Sequence, residues 1–217
     1  MNKKSIVYRE IIETLLRDRK SRFVERELAR TLDVSPDTVS RSLSPLKESG
    51  IASVQRRHFE IIDFEKLLAY WAVSRKFSRD IIYSTYVEVK SIEEIEDRMP
   101  ADMAYTCFSA YVRLLGPAPA DYGQVYVYAA EEALREIVLR FPKRDATLRE
   151  KRHNLFILKP DRVIERRILD GTLPHSSVPI SQLYVDLWNT SSWNAYEFLK
   201  KVKERIDDMY AKAILER

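Results

Sequence analysis

A chain of 217 residues, carrying 37 Lys/Arg against 33 Asp/Glu for a formal net charge of +4, is long enough for two compact units and too apolar for global disorder. Its four glycines, Gly50, Gly116, Gly123 and Gly171, do not cluster, which excludes a phosphate-cradling P-loop or a GxGxxG turn. A single cysteine, Cys107, excludes an internal disulfide and a thiolate metal cluster, and between Thr106 and Phe108 it reads as a small buried hydrophobe.

Acidic Glu10, Glu13 and Asp18 within Met1 to Lys20 argue against a signal or transit peptide, and no apolar run approaches the roughly 20 residues of a membrane span. A cytoplasmic protein with no membrane partner is therefore expected. Residues 1–63 hold 13 Lys/Arg against 10 Asp/Glu, so most of the positive excess lies at the front.

From Ser5 to Asp18, Tyr8, Ile11, Ile12 and Leu15 form the one-sided stripe of an amphipathic helix. Phe23 suits a short strand, and a second helix is expected over Glu25–Thr31, burying Leu28, Ala29 and Leu32. The link Leu32-Asp33-Val34-Ser35 is short. Ser35 is a good N-cap, Pro36 suits the first helical position, and Asp37 complements the positive end of the helix dipole. Two short helices joined by such a turn make a helix-turn-helix.

In the third helix Val39, Leu43 and Leu46 define a buried face, and Gly50 serves as the left-handed cap. The opposite face presents Asp37, Arg41, Ser44 and Glu48, flanked by Thr38, Ser40 and Lys47. Short polar side chains let a helix enter the major groove, where Arg41 has guanine O6/N7 or a phosphate within its chemistry. The runs 51–54 and 58–62 read as two strands separated by Gln55-Arg56-Arg57, a wing with two arginines at its tip. The candidate DNA-binding residues are thus Ser35, Asp37, Thr38, Ser40, Arg41, Ser44, Lys47, Arg56 and Arg57. Winged helices also serve protein–protein contact, and a polar helix face is often simply solvated. Two features depart from the usual pattern: Asp33 stands where glycine is common in the turn, and Pro45 lies inside the helix.

Asp63 is a cap for a linker helix over residues 64–76 that uses Leu67, Leu68 and Trp71. Beyond it the pattern predicts a strand at Ile82–Val89, a helix at Ile92–Met99 capped by Ser91, and a helix at Tyr105–Leu115 ended by Gly116-Pro117. A central strand follows at Tyr122–Ala129, then a helix at Glu131–Phe141 burying Leu134, Ile137, Val138 and Phe141. Leu155–Leu158 is a buried strand stopped by Pro160, and Val163–Leu169 is expected to pair with it as a more exposed strand. Ile180–Asn189 is a helix presenting Leu183, Tyr184, Leu187 and Trp188. The last helix, from about Asn194, carries Leu199, Val202, Ile206, Met209 and Ala213 and is expected to pack on its own sheet. The predicted fold is α+β: a winged helix-turn-helix at residues 1–63, then a mixed α/β domain at 64–217 with a small sheet and a long C-terminal helix.

The second domain offers little chemistry. His58, His153 and His175 show no metal-ligand spacing, and Ser109, Ser176 and Ser181 lack a nucleophile-elbow context. Glu93, Glu94, Glu96 and Asp97 read as a solvated helix face. The basic run Lys143-Arg144…Arg149-Glu150-Lys151-Arg152 reads as a solvated loop, and the many aromatics, Trp188 and Trp193 among them, as core before ligand pocket. No catalytic residue, metal ligand or cofactor is predicted.

Several landmarks carry a resemblance. They are Leu67-Leu68-Ala69-Tyr70-Trp71, Tyr105-Thr106-Cys107-Phe108-Ser109-Ala110 leading to Leu115-Gly116-Pro117, Val125-Tyr126-Val127, Asn154-Leu155-Phe156-Ile157-Leu158-Lys159-Pro160, and Val178-Pro179-Ile180-Ser181-Gln182-Leu183-Tyr184-Val185-Asp186-Leu187. In this order, over nearly the whole chain, they resemble the AbiEi-type antitoxins, transcriptional regulators of type IV abortive-infection toxin–antitoxin systems. The resemblance implies a repressor of its own operon that binds double-stranded DNA through the winged helix and counters a nucleotidyltransferase toxin. Modest local charge suggests paired half-sites, hence a homodimer on DNA. The competing expectation keeps the winged helix and makes the second domain a small-molecule sensor. An enzyme that docks through the winged helix is the least supported, for want of any spaced catalytic motif.

Overall fold

The computed structural model describes residues 3–18, 21–143 and 152–215. Most of the predicted basic run, residues 144–151, lies outside the described residues. The order opens with α1 (Lys3–Asp18), β1 (Arg22–Phe23), α2 (Glu25–Thr31), α3 (Pro36–Glu48), β2 (Ala52–Val54), β3 (Phe59–Ile61) and α4 (Phe64–Ser74). A single turn of 3-10 helix, Phe77–Asp80, precedes β4 (Ile81–Thr85), α5 (Glu93–Glu96), β5 (Met103–Thr106) and α6 (Cys107–Leu115). There follow β6 (Val125–Ala129), α7 (Glu131–Arg140), β7 (Leu155–Leu158), α8 (Arg162–Leu169), α9 (Ile180–Trp188) and α10 (Ala195–Leu215).

Two units divide the chain: Asn2–Arg75 with Lys203–Arg217, and Lys76–Val202. Helix α10 begins in the second and ends in the first. In the first unit α1 buries Tyr8, Ile11, Ile12 and Leu15 against the core that α3 closes with Val39, Leu43 and Leu46. The Tyr8 hydroxyl donates to the Ser42 carbonyl oxygen at 2.9 Å, which fixes α1 to the middle of α3. Burial pushes that hydroxyl well above its ordinary range. Strands β1, β3 and β2 form an antiparallel sheet in that order, and Phe23 stacks on Phe59 across it at 5.2 Å. Asp63 caps α4 by accepting from the Lys66 N–H at 2.9 Å, and this bond first of all holds its carboxyl below the usual range. Phe64 stacks on Tyr210 at 4.0 Å, so α4 and the end of α10 share one apolar seam.

The second unit is built on a four-stranded sheet in the order β4-β7-β6-β5. Strands β6 and β7 run parallel, and the other two pairs are antiparallel. All five residues of β6 are buried, as a central strand covered on both faces requires. Tyr126 and Phe156 are partners in the ladder and stack at 4.5 Å. Phe108 meets Phe198 edge-on at 4.9 Å, and Phe198 meets Tyr111 at 5.1 Å. These aromatics fill the core of the unit by packing on one another.

Several expectations for the rest of the chain are corrected. Residues 105–115 are not one helix: Met103–Thr106 is a strand, and the chain turns into α6 at Cys107, whose φ of 53° is left-handed. A short, mostly apolar run does not distinguish a buried strand from a buried helix by period. Residues 163–169 are helix α8 and not a strand, because Asp161 accepts from the Val163 and Ile164 N–H groups at 2.9 and 3.0 Å. Strand β4, farther back in sequence, pairs with β7 instead; it ends at Thr85, short of Val89, where the Asn154 side chain takes over by bonding Val87 N–H at 2.8 Å. The helix expected at 92–99 shrinks to Glu93–Glu96, with Ile92 rather than Ser91 in the cap position. Helix α7 buries Ala133 and Ile137, whereas Leu134 is half-buried and Val138 exposed, and Trp188 and Trp193 lie on the surface. The last helix buries Phe198 with Val202 and Ile206, while Leu199 and Met209 are half-buried.

Candidate nucleic-acid interface

Helix α2 closes with Val34 N–H bonding the Ala29 carbonyl at 2.9 Å, and Asp33 then takes φ 51°. Aspartate is among the few residues besides glycine that tolerate this region, which is why the turn closes without a glycine. Ser35 Oγ accepts from the Thr38 N–H at 3.2 Å, and the two hydroxyls bond each other at 2.9 Å, starting α3 at Pro36. Helix α3 runs through Pro45 to Glu48, and Gly50, at φ 67°, lets the chain turn back into the sheet.

With Val39, Leu43 and Leu46 buried, the other side of α3 faces outward. Ser35, Asp37, Ser40, Arg41, Ser44 and Lys47 are exposed, and Thr38 is half-buried beside its capping bond. The face is internally paired at two places. Arg41 Nε lies 3.1 Å from Asp37 Oδ1 and 3.0 Å from Oδ2, and Ser44 Oγ donates to Glu48 Oε1 at 2.9 Å. Both pairs sit at i, i+4, where side chains on one helix face meet.

The wing is the turn between β2 and β3, closed by Gln55 N–H bonding the His58 carbonyl at 2.8 Å. Arg56 and Arg57 stand exposed at its tip. Because β1 pairs with β3, the start of α2 comes alongside the wing, and a cleft of about 490 Å³ lies between them. Arg26, Arg56, Arg57 and His58 line it with Pro36 and one acid, Glu25, so the first turns of α2 and α3 and the wing share one recess in which arginines outnumber the acid. The structure thereby brings Arg56 and Arg57 to the N-terminal end of the α3 face. It also adds Arg26 and His58, which the sequence did not single out. Arg26 could be placed only through the β1–β3 pairing, and a two-residue strand leaves almost no periodic signal.

Residues 13–70 match the family described as the Crp-like helix-turn-helix domain. This segment is similar to the helix-turn-helix domains of that family. The match spans α2, α3, the wing and most of α4, and it supports a DNA-binding transcription regulator. No curated protein and no solved structure matches the chain.

Elsewhere, the Gln182–Asp186 landmark is a buried polar cluster. Thr106 Oγ1 and the Tyr128 hydroxyl each donate to Asp186 Oδ2 at 2.8 Å, and Gln182 Nε2 donates to Oδ1 at 2.7 Å. All four side chains are buried, so the cluster fastens α9 to β5 and β6. Among the described residues, no group of three His, Cys, Asp or Glu side chains is placed to hold a metal ion, and no helix is long and apolar enough to cross a membrane.

Proposed function

We propose that this chain is a sequence-specific regulator that binds double-stranded DNA through α3 and the wing, represses its own operon, and acts as an AbiEi-like antitoxin against a nucleotidyltransferase toxin. One observation carries the DNA-binding part: the outward face of α3, built of short polar side chains and Arg41, adjoins the recess of Arg26, Arg56 and Arg57. In this reading the face of Asp37, Thr38, Ser40, Arg41 and Ser44 enters the groove and faces base edges, while Ser35, Lys47, Arg56 and Arg57 meet the backbone or minor groove. The antitoxin part is supported by the ordered landmarks from Leu67 to Leu187. Three residues within them, Thr106, Gln182 and Asp186, share the buried cluster.

The small positive excess of residues 1–63 makes a single copy a weak non-specific binder. Two copies on half-sites about 34 Å apart supply the missing affinity. Gel-shift titration against the DNA upstream of the gene tests the regulator reading. Tight, salt-sensitive binding is expected there, and affinity no greater than for a random duplex of equal length overturns it. For the antitoxin part, an adjoining nucleotidyltransferase-like reading frame is expected, with growth arrest on its expression relieved by this chain. Absence of relief removes that part and leaves the regulator reading standing.

A further inference from the structure

The outward face of α3 carries an acid, Asp37, where DNA phosphates would repel it. An exposed acid here weakens binding to every sequence alike, so its position calls for a compensating role. The geometry supplies one. The Asp37 carboxyl accepts a hydrogen bond from Arg41 Nε, which lies 3.1 Å from Oδ1 and 3.0 Å from Oδ2, and neither Nη group makes a hydrogen bond to another described residue. A guanidinium held in this way presents its two Nη groups end-on, as a fork aimed away from the helix.

Resting on the DNA-binding reading above, we infer that Asp37 is a positioning residue: it locks Arg41 so that the Nη fork reads guanine O6 and N7 in the major groove. The side chains of Arg41 and Asp37 are 77% and 65% exposed, so in water the pair is loosely held. Inside the groove, water is displaced and the same contact strengthens as the local dielectric falls. Even a loosely held pair narrows the conformations of a long arginine side chain, which lowers part of the ordering entropy that base recognition otherwise demands. Thymine and cytosine present no paired acceptors to such a fork, and adenine offers N7 beside a donor. A G·C pair under Arg41 is the base pair selected.

The test uses the full-length protein and a library of randomised duplex DNA. Selection should enrich a motif containing a G·C pair that Arg41→Ala and Arg41→Lys no longer select. On that motif, changing the pair to A·T should weaken the wild type about 10-fold or more, and Arg41→Ala hardly at all. Asp37→Ala should lose most of this discrimination while keeping or raising affinity for random duplex, and Asp37→Glu should restore part of it. Discrimination that survives Asp37→Ala, or a selected motif with no Arg41-dependent G·C pair, overturns the inference and leaves the DNA-binding reading intact. Failure to enrich any sequence overturns both.

Discussion

The hydroxyl of Tyr128, in the central strand β6, donates a 2.8 Å hydrogen bond to Oδ2 of Asp186 in α9, fully inside the protein. Thr106 shares the same oxygen, and Gln182 bonds the other. Asp186→Ala deprives three buried donors of their acceptor, and each such loss costs about 1 kcal/mol or more. A destabilisation of about 3 kcal/mol or more is expected in urea unfolding. Tyr128→Phe, which removes one donor of the set, should cost about 1–3 kcal/mol. A near-neutral Asp186→Ala would mean that the cluster does not hold α9.

Helix α3 depends on its cap. Ser35→Ala leaves the Thr38 N–H without its side-chain acceptor and is expected to lower stability by about 1 kcal/mol, with Ser35→Asp close to wild type. Thermal melts of the three proteins check the order.

In the proposed DNA-binding reading, the two arginines at the wing tip act by charge. Arg56→Ala and Arg57→Ala should each weaken binding to specific and random duplexes by similar factors, and lower the slope of log affinity against log salt by about 1. Arg26→Ala should do the same, since it lines the same recess. An effect restricted to one DNA sequence would place these side chains on bases instead.

Phe64 is 2% exposed and stacks on Tyr210, and Lys203 pairs with Glu65 at 2.7 Å. The end of α10 is therefore part of the packing of α4. Phe64→Ala should cost about 3–5 kcal/mol. Ending the chain at Val202 should lower the melting temperature of the helix-turn-helix unit, read by its own helical signal.

Alkali should unfold the protein through its tyrosines. Burial pushes the Tyr105 hydroxyl up to about 12, outweighing the Arg113 guanidinium beside it, and burial raises Tyr8, Tyr122 and Tyr126 as well. The folded state thus holds these protons more tightly than the unfolded chain, whose tyrosines titrate at the ordinary value of 10.0. Their contribution to stability is full below about pH 10 and is lost as pH rises through about 12. Urea midpoints should be level up to about pH 10 and fall above it, with tyrosinate absorbance rising as the protein unfolds.

Local chemistry made the helix-turn-helix legible in the amino-acid sequence. Ser35, Pro36 and Asp37 mark the start of α3, Gly50 marks its end, and Val39, Leu43 and Leu46 mark its buried face, all within a few residues of one another. The exposed candidates on α3 follow from that buried face by helical geometry alone. The central position of β6 was equally readable, because a strand apolar on both faces has to be covered.

Tertiary structure decided what depends on partners distant in sequence. Residues 105–115 carry no local signal that divides them, so only the pairing of β5 with β6 separates the strand from the helix. Residues 163–169 became helix because β7 was already flanked by β4 and β6 and Asp161 offered a cap. Arg26 joined the wing arginines through β1, two residues long, and Asp186 gained two of its three donors from strands 58 and 80 residues away. The amino-acid order alone thus determined where α3 lies and which face it presents, since those follow from contacts within one or two turns. Which side chains gather around that face, and which buried acid fastens α9 to the second sheet, are set by long-range pairing, on which local periodicity carries no information.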